Sequence, residues 1–549
     1  MSGWKPLSSA FGRPLPLMLI GAVLTALTLV FPAIGLLEWV TMIPLFVGVY
    51  RLAERADCTL RRAYGYGFLT VYVFYFVIYH WFLRLYPLDF VGMDNASSAI
   101  VIAAGWFGLP ILQAATGGLI FLTFRWMHKT SIFARAPMLR PIVFAALWVV
   151  FEWSSTLSWA GVPWGRLCLG QIEMLPMLQS ASLLGSYFVS FLILAVNGFL
   201  AVLVLDRTKS LLCGIIAASI FCSNLLFGAA VRLCPEKQGE TLRVAVIQGN
   251  INSHEKWDSN SGNNIRKTYR DLSLAAAGQG AEFIVWPESA LPYELNRSAS
   301  LQKYVSELAI ECNATLIVGA FYRDHESDPP RNDNALFMIT PDGEISETVY
   351  AKRHLVPFGE YVPMRDLIMF LIPPLAELSA LDSDLTPGID SALFALPEEL
   401  PKGKVGSLIC FDSIYEQLTL DSVRDGANLM LVSSNDSWFY DSAAVYQHQA
   451  QAQLRAIESG RYLVRSANTG ISSVISDEGE ILAWLDPLTK GYRVADVQMR
   501  TRHTLYNVVG NLFVYLCLAF VILLPILGKL LGEPQKRPIV WKNHYGKTK

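Results

Sequence analysis

The sequence predicts a polytopic α-helical membrane protein, about eight transmembrane helices, that carries one large α/β domain. Three observations lead there. The 549 residues are 53% hydrophobic and only 16% charged, too apolar for an ordinary soluble chain of this length. The apolar character is uneven: long apolar runs precede Cys234, soluble-like composition runs from Gly239 to Arg502, and one apolar run follows. Lys and Arg cluster in alternate loops, the pattern that a membrane-threaded chain shows on its cytoplasmic side.

A helix needs roughly 20 apolar residues to cross a bilayer. Eight stretches are candidates: Leu15–Val30, Ala33–Tyr50, Tyr64–Leu83, Ile100–Phe124, Pro141–Leu157, Leu183–Leu205, Leu211–Val231 and Val509–Gly528. The first two are short and separated by Pro32, and the second and fifth carry Glu38 and Glu152. Lys5 and Arg13, then Arg51, Arg55, Arg61 and Arg62, then Arg125, Lys129, Arg135 and Arg140, then Arg207 and Lys209, and finally the tail from Lys529 to Lys549 mark one side. That alternation places both termini in the cytoplasm and the soluble part outside; Arg500 and Arg502 run weakly against it. The expected organisation is residues 1–235 as seven membrane helices, 240–500 as the outer domain, 505–531 as the eighth helix and 532–549 as a basic tail. The first apolar run passes directly into a second, so it reads as a retained anchor rather than a cleaved signal.

Between the fifth and sixth spans lies WAGVPWGRLCLGQ, Trp159–Gln171, whose Gly, Pro and Trp residues suggest a re-entrant or interfacial turn where Arg166 could meet lipid phosphate or, equally, an ordinary interfacial loop. Glu152, His80 and Asn197 are read as inter-helix hydrogen-bonding groups or as positions near a span end, in preference to the lining of a transport path, which needs a ring of such residues.

From Leu242 the pattern alternates. Leu242–Ile247, Glu282–Val285, Thr315–Ala320, Ala335–Ile339, Val405–Ile409 and Leu429–Val432 have strand character; Asn264–Ala277, Leu301–Glu311 and Ala443–Ser459 have helical periodicity. The eight cysteines form no CxxC pair, so neither a zinc site nor a disulfide framework is expected, although a Cys312–Cys410 bridge stays open. A net charge of −2 gives no reason to expect a nucleic-acid partner. No metal or other cofactor is expected.

The chemistry centres on VGSLICFDSIY. An apolar strand ends in Cys410 and polar residues follow at once, which puts a thiol at a strand-to-loop edge, where nucleophiles of α/β enzymes sit. A small buried core residue is the plain alternative. Acyl chemistry on a thiol needs a base, a cation or N–H donors for the oxyanion, and walls that exclude water. Glu288, at the end of IVWPES, is the candidate base; its alternative is a helix N-terminal carboxylate after Pro287. Lys352 is the candidate cation, against the commoner fate of a solvated strand lysine. His354 and His448 leave a Cys–His arrangement open as a second choice.

IVWPES, AKRHLVPFGEYVP and LICFDSIYE resemble, in order and spacing, the three signature stretches of the nitrilase, or carbon–nitrogen hydrolase, superfamily. HLVPFGEYVP, the later SSNDSWF and RSANTGISS, and the flanking spans narrow the resemblance to its membrane-embedded branch, the apolipoprotein N-acyltransferases. The resemblance covers nearly the whole chain. It implies an α-β-β-α sandwich with Glu288 as base, Lys352 as oxyanion stabiliser and Cys410 as nucleophile, and Glu360 as a second essential carboxylate. It also implies supporting places for Trp257 in QGNINSHEKW, for Phe411 and Asp412 after the nucleophile, and for Asn435 and Trp438 in SSNDSWF. The chain departs from the usual pattern at Phe411 and Asp412, where Tyr and Glu are common, and at Tyr440, where Gly is common.

The implied reaction transfers the sn-1 acyl chain of a phospholipid, through a Cys410 thioester, to the α-amine of a diacylglyceryl-cysteine on an apolipoprotein. Partners would be the phospholipid, the apolipoprotein and the bilayer, with the protein a monomer in a bacterial inner membrane and its catalytic domain on the outer face. The apolar Met364–Leu375 stretch is expected to be a lid dipping into the outer leaflet or, equally, a buried core helix. A membrane-tethered amidase or nitrilase is the rival enzyme, favoured if a soluble amide is hydrolysed without phospholipid. A transporter or receptor with a binding-only outer domain is the rival without catalysis; it predicts that Cys410→Ala leaves function intact.

Overall fold

The computed structural model describes residues 13–530 apart from 89–92, 131, 160, 207, 209, 235–238, 258–260, 329 and 372–383; the side chains of 254, 257, 368, 369 and 371 also lie outside the description. Each of the eight apolar stretches contains a helix: Pro14–Val30, Ile43–Glu54, Leu60–Ile78, Asn95–His128, Leu139–Ser154, Ser186–Leu205, Ser210–Leu233 and Leu512–Leu530. Among the described residues six helical stretches are long and apolar enough to cross a membrane, the first of them counted over Pro32–Glu54. Pro14–Val30, with 17 residues, and Leu139–Ser154, with 16, are shorter. At 1.5 Å rise per residue such helices reach roughly 25 Å, less than the ~30 Å hydrocarbon thickness.

The polar groups of this helical part face one another. Asn197 donates to the Glu38 carbonyl at 2.9 Å and accepts from the Met42 amide at 2.9 Å, tying two helices together. Glu152 accepts from the Leu167 amide at 3.0 Å and the Trp148 indole at 3.2 Å. Asn197 and Glu152 take the inter-helix bonding role read from the sequence; His80 stands just past the end of the Leu60–Ile78 helix, the span-end position also read for it, and bonds its own turn at the Val77 carbonyl.

The α/β part is built on two six-stranded sheets, in the orders β12-β1-β2-β3-β4-β5 and β11-β10-β9-β8-β7-β6. In chain order β1 is Thr241–Gln248, β2 Phe283–Val285, β3 Thr315–Asp324, β4 Arg331–Ile339, β5 Ile345–Ala351 and β6 Phe394–Ala395. Then come β7 Lys404–Ile409, β8 Leu429–Ser434, β9 Leu463–Ala467, β10 Ser472–Ile475, β11 Ile481–Leu485 and β12 Gly491–Gln498. Val244, Val246, Phe283, Val285 and Leu336 of one sheet meet Val405, Ile409, Leu429, Leu431 and Val464 of the other in a closed apolar layer. Both faces of these strands are buried, which is why they read as continuous apolar runs rather than alternating ones.

Helices Gly262–Ala277 and Ala299–Cys312 cover the outer face of the first sheet through Ile265, Tyr269, Val305 and Leu308. Helices Glu416–Arg424 and Ala443–Ser459 cover the second sheet, completing four layers, α-β-β-α. Their apolar residues Leu418, Val423, Leu454 and Ile457 share one core with Trp164, Leu167, Leu178 and Ala181 of the membrane part. The second helical layer is therefore held between a sheet and the membrane helices.

Candidate active site

Glu288, Lys352 and Cys410 each stand just past the end of a strand, where the ladder stops and the backbone turns. β2 ends at Val285 and Glu288 follows in a turn, 5% exposed, with no helix after it, so the helix-terminus alternative does not apply. β5 ends at Ala351 and Lys352 follows, 1% exposed, not a solvated strand lysine. β7 ends at Ile409, and Cys410 opens a five-residue 3-10 turn with φ of +49°. A side chain in that left-handed region is strained by about 1–3 kcal/mol and needs its surroundings to hold it. No disulfide is formed: Cys312 and Cys410 are both free thiols.

Lys352 Nζ lies 3.0 Å from Glu288 Oε1 and 2.9 Å from Glu360 Oε1. Asn334, on β4, donates to the same two oxygens at 2.7 and 3.1 Å. The other Glu288 oxygen accepts from the Asn435 amide at 2.8 Å, and the other Glu360 oxygen from the Val356 amide at 2.8 Å. Burial alone lowers the Lys352 ammonium, but the two carboxylates outweigh it and hold it well above the usual lysine range. Burial pushes the Glu360 carboxyl up, with Lys352 pulling it back and Glu288 adding to the rise. Burial, then the Glu288 charge, pushes the Cys410 thiol up, while Lys352 pulls it down.

Asp412 binds the lysine loop to the cysteine turn. Its carboxylate accepts from the amides of Ile409 at 3.0 Å and His354 at 2.7 Å and from the Tyr350 hydroxyl at 2.9 Å. Phe411 and Tyr415 pack edge to face, and the His354 ring stacks on Tyr415 with centroids 4.0 Å apart. Trp438 is half-buried and Tyr440 exposed. Trp257 ends the Ser253–Trp257 helix, and its side chain lies outside the described residues. Met364, Leu367 and Phe370 are exposed on and beside the Arg365–Leu371 helix, which is not a buried core helix over these positions; residues 372–375 lie outside the description.

Four groups around the site were given no role from the sequence, although Lys256, Asp436 and Arg465 lie inside the QGNINSHEKW, SSNDSWF and RSANTGISS stretches. Asn334 is one of two asparagines in RNDN. Lys256 is buried with Nζ 3.1 Å from the Glu288 carbonyl, and burial lowers its ammonium to about 8. Asp436 and Arg465 form a buried ion pair at 2.7 Å close to Cys410. Burial pushes the Asp436 carboxyl up, but Arg465 and His448 outweigh it and hold it well below the usual range.

Both histidines of the rival arrangement touch the Cys410 turn, His354 through its backbone amide on Asp412 and His448 through its ring. His448 Nδ1 lies 2.9 Å from Asp436, and its Nε2 lies 3.1 Å from the Cys410 carbonyl oxygen and 3.0 Å from Ser413 Oγ. Cys410, Asp436 and His448 each bring one ligand atom within 4.8 Å of the others. Arg465 already neutralises Asp436, and both ring nitrogens are engaged, so the donor set suits a hydrogen-bond network better than a cation.

Arg166 does not face lipid phosphate as its sequence context suggested. It is 1% exposed, ion-paired with Glu416 and bonded to Ser186 Oγ at 3.2 Å. Its loop is roofed by the catalytic domain, which supplies a carboxylate where lipid would otherwise be.

Comparison with known proteins bears on this geometry. Residues 243–505 match the family Carbon-nitrogen hydrolase, and residues 21–199 match the Apolipoprotein N-acyltransferase N-terminal domain. A relative named apolipoprotein N-acyltransferase, from Gloeobacter violaceus, is 31% identical over 92% of this chain and 92% of its own. The chain belongs to the apolipoprotein N-acyltransferase family. A second apolipoprotein N-acyltransferase, from Geobacter metallireducens, is 29% identical over 91% of this chain and 92% of its own. Among solved structures, an amidase from Nesterenkonia sp. is 17% identical, covering 48% of this chain and 93% of that one with a TM-score of 0.35. The apolipoprotein N-acyltransferase matches extend across both the helical part and the sandwich.

Proposed function

We propose that the chain moves the sn-1 acyl chain of a membrane phospholipid to the α-amine of the N-terminal diacylglyceryl-cysteine of an apolipoprotein. Family membership supports lipoprotein N-acylation in a bacterial membrane. The observation that carries the reaction chemistry is the buried cluster in which Lys352 joins Glu288 and Glu360 beside the strained Cys410 turn.

A thiol pushed up by burial is protonated at neutral pH, so it needs a base. Glu288 takes the thiol proton, and the sulfur attacks the ester carbonyl. The Lys352 ammonium and a backbone N–H near Phe411 hold the oxyanion. As the tetrahedral adduct collapses, the ester C–O bond breaks, and Glu288 returns its proton to the leaving oxygen of a lysophospholipid. In the second half the α-amine attacks the thioester carbonyl, Glu288 takes an amine proton, and the C–S bond breaks. The sulfur recovers the proton, and the product carries an amide. Two half-reactions through one covalent intermediate give ping-pong kinetics.

Glu360 keeps Lys352 in place rather than joining the proton transfer. The exposed Met364, Leu367 and Phe370 suit contact with acyl chains of the outer leaflet, where a lid would keep water from the thioester. The basic-loop alternation supports a count of eight spans with both termini cytoplasmic and the sandwich on the outer face; the short helices are accommodated by local thinning. The unit is a monomer.

The test is mass spectrometry of the purified protein after incubation with phospholipid in detergent. A fatty-acyl adduct on Cys410, discharged by a diacylglyceryl-peptide amine, is the expected result. Cys410→Ala should abolish both adduct and product. Product formation at wild-type rate by Cys410→Ala would sink the reading.

A further inference from the structure

His448 stands where two sets of contacts meet. On one side it reaches the nucleophile's turn: Nε2 sits against both the Cys410 carbonyl and Ser413 Oγ, and Ser413 Oγ donates to the same carbonyl at 2.8 Å. With a proton, Nε2 donates to the carbonyl beside the Ser413 hydroxyl; without one, it accepts the Ser413 proton in place of the carbonyl and holds the turn through Ser413. Either way it fixes the turn. Behind it Asp436 holds Nδ1, and Asp436 is itself held by Arg465 at 2.7 Å and Ser434 Oγ at 2.9 Å. His448, Asp436 and Arg465 are buried.

On the other side, its neighbours on the Ala443–Ser459 helix are bonded to the membrane part. Gln447 accepts from the Trp164 indole at 2.5 Å, and Gln451 donates to the Pro163 carbonyl at 3.1 Å. Glu458 accepts from the Ser186 amide at 2.7 Å and pairs with Arg455 at 2.9 Å. The Trp164 ring lies 5.7 Å from the imidazole. The helix that docks the sandwich on the membrane helices is therefore the helix that grips the nucleophile.

We propose that His448 is a positioning residue: it clamps the Cys410–Ser413 turn to the membrane-docked helix and so sets the thiol's attack angle by the seating of the catalytic domain. The inference rests on the acyl-transfer reading above and adds a residue to it. Cys410 sits at φ +49°, a conformation that its own backbone does not favour, and its carbonyl orientation decides where the following amide and the sulfur point. His448 is not the base, because both its nitrogens are already committed and Glu288 fills that role.

The experiment measures the rate of Cys410 acyl-adduct formation in the full-length protein, in detergent with phospholipid, from about pH 6 to 9. His448→Gln, whose amide nitrogen reaches the turn, should stay within about 10-fold of wild type, and His448→Asn, which is too short to do so, should fall by about 100-fold. Both profiles should keep the wild-type shape, a uniform drop across pH. Equal rates for the Gln and Asn variants would overturn the clamp, as would a loss confined to one limb of the profile, which marks a base. Alkylation of Cys410 by iodoacetamide ranks the same variants without lipid. A wild type that alkylates but forms no acyl adduct would therefore defeat the acyl-transfer reading while the ranking still decides the clamp. If the Asn variant fails to fold, Ser413→Ala in the His448→Gln background replaces it; a further drop of at least 10-fold is expected, and no drop overturns the clamp.

Discussion

Lys352 keeps two carboxylates close together in a site that excludes water. Remove the ammonium and Glu288 and Glu360 face each other across the same Asn334 donor. Breaking a buried pair by deleting one partner costs about 3–5 kcal/mol. Lys352→Met should therefore both abolish acylation and lower the thermal midpoint, and adding Glu360→Gln should restore part of the midpoint but none of the activity. A Lys352→Met protein with wild-type stability would show that the cluster is looser than its distances say. Lys256 gives a pH-dependent counterpart. Its folded ammonium lies near 8, below the 10.5 of the unfolded side chain. The folded state then disfavours the charge, so burial costs stability below about 8, and the cost fades as pH rises from 8 to 10.5. Lys256→Met should gain stability over wild type most at neutral pH, and the gain should shrink across that window in thermal scans. A gain that grows with pH would contradict the assignment.

At the scale of elements, the site depends on how strand ends are spaced. β3 passes directly under the Glu288 turn, and Gly319 leaves the room: a Cβ there would stand 2.8 Å from the Ser289 nitrogen and 3.0 Å from Glu288 Cα, and closer still to the Pro287 carbonyl. These are backbone atoms and cannot swing aside. Gly319→Ala should shift the carboxylate away from Lys352 by a few tenths of an ångström and lower kcat by about 10²-fold, with a smaller effect on thermal midpoint. An Ala variant with unchanged kcat would mean that the turn tolerates the displacement. Asp412 does the complementary work between β5 and β7, accepting amides from both sides, so the cysteine and lysine ends move as one unit.

For the whole molecule, the sandwich and the membrane helices share a core and a buried ion pair. Arg166 meets Glu416, Glu416 also accepts from the Tyr187 hydroxyl at 2.7 Å, and Arg455 lies 3.7 Å from the same carboxylate. Arg166→Met leaves Glu416 with less compensation and should destabilise the protein by about 3–5 kcal/mol, with Arg166→Met/Glu416→Gln recovering much of that loss. Thermal unfolding of the three proteins in detergent decides it; equal midpoints for the single variant and wild type would show that the pair is dispensable.

The sequence by itself determined where the apolar helices lie, which runs become strands, and where Glu288, Lys352 and Cys410 stand at strand ends, because local composition and periodicity carry that information. It located the Ala443–Ser459 helix at both its ends. It left β5, β6 and β9 to β12 unassigned, since their short runs and mixed polarity match no strict period until a partner strand supplies the pairing. Tertiary structure alone decided that Arg166 faces Glu416 and not lipid, that Asn334 bridges the two carboxylates, and that the His448 ring lies against the Cys410 carbonyl. Those contacts join residues tens to hundreds of positions apart, and no residue's own neighbourhood says which distant carboxylate or carbonyl will be brought against it.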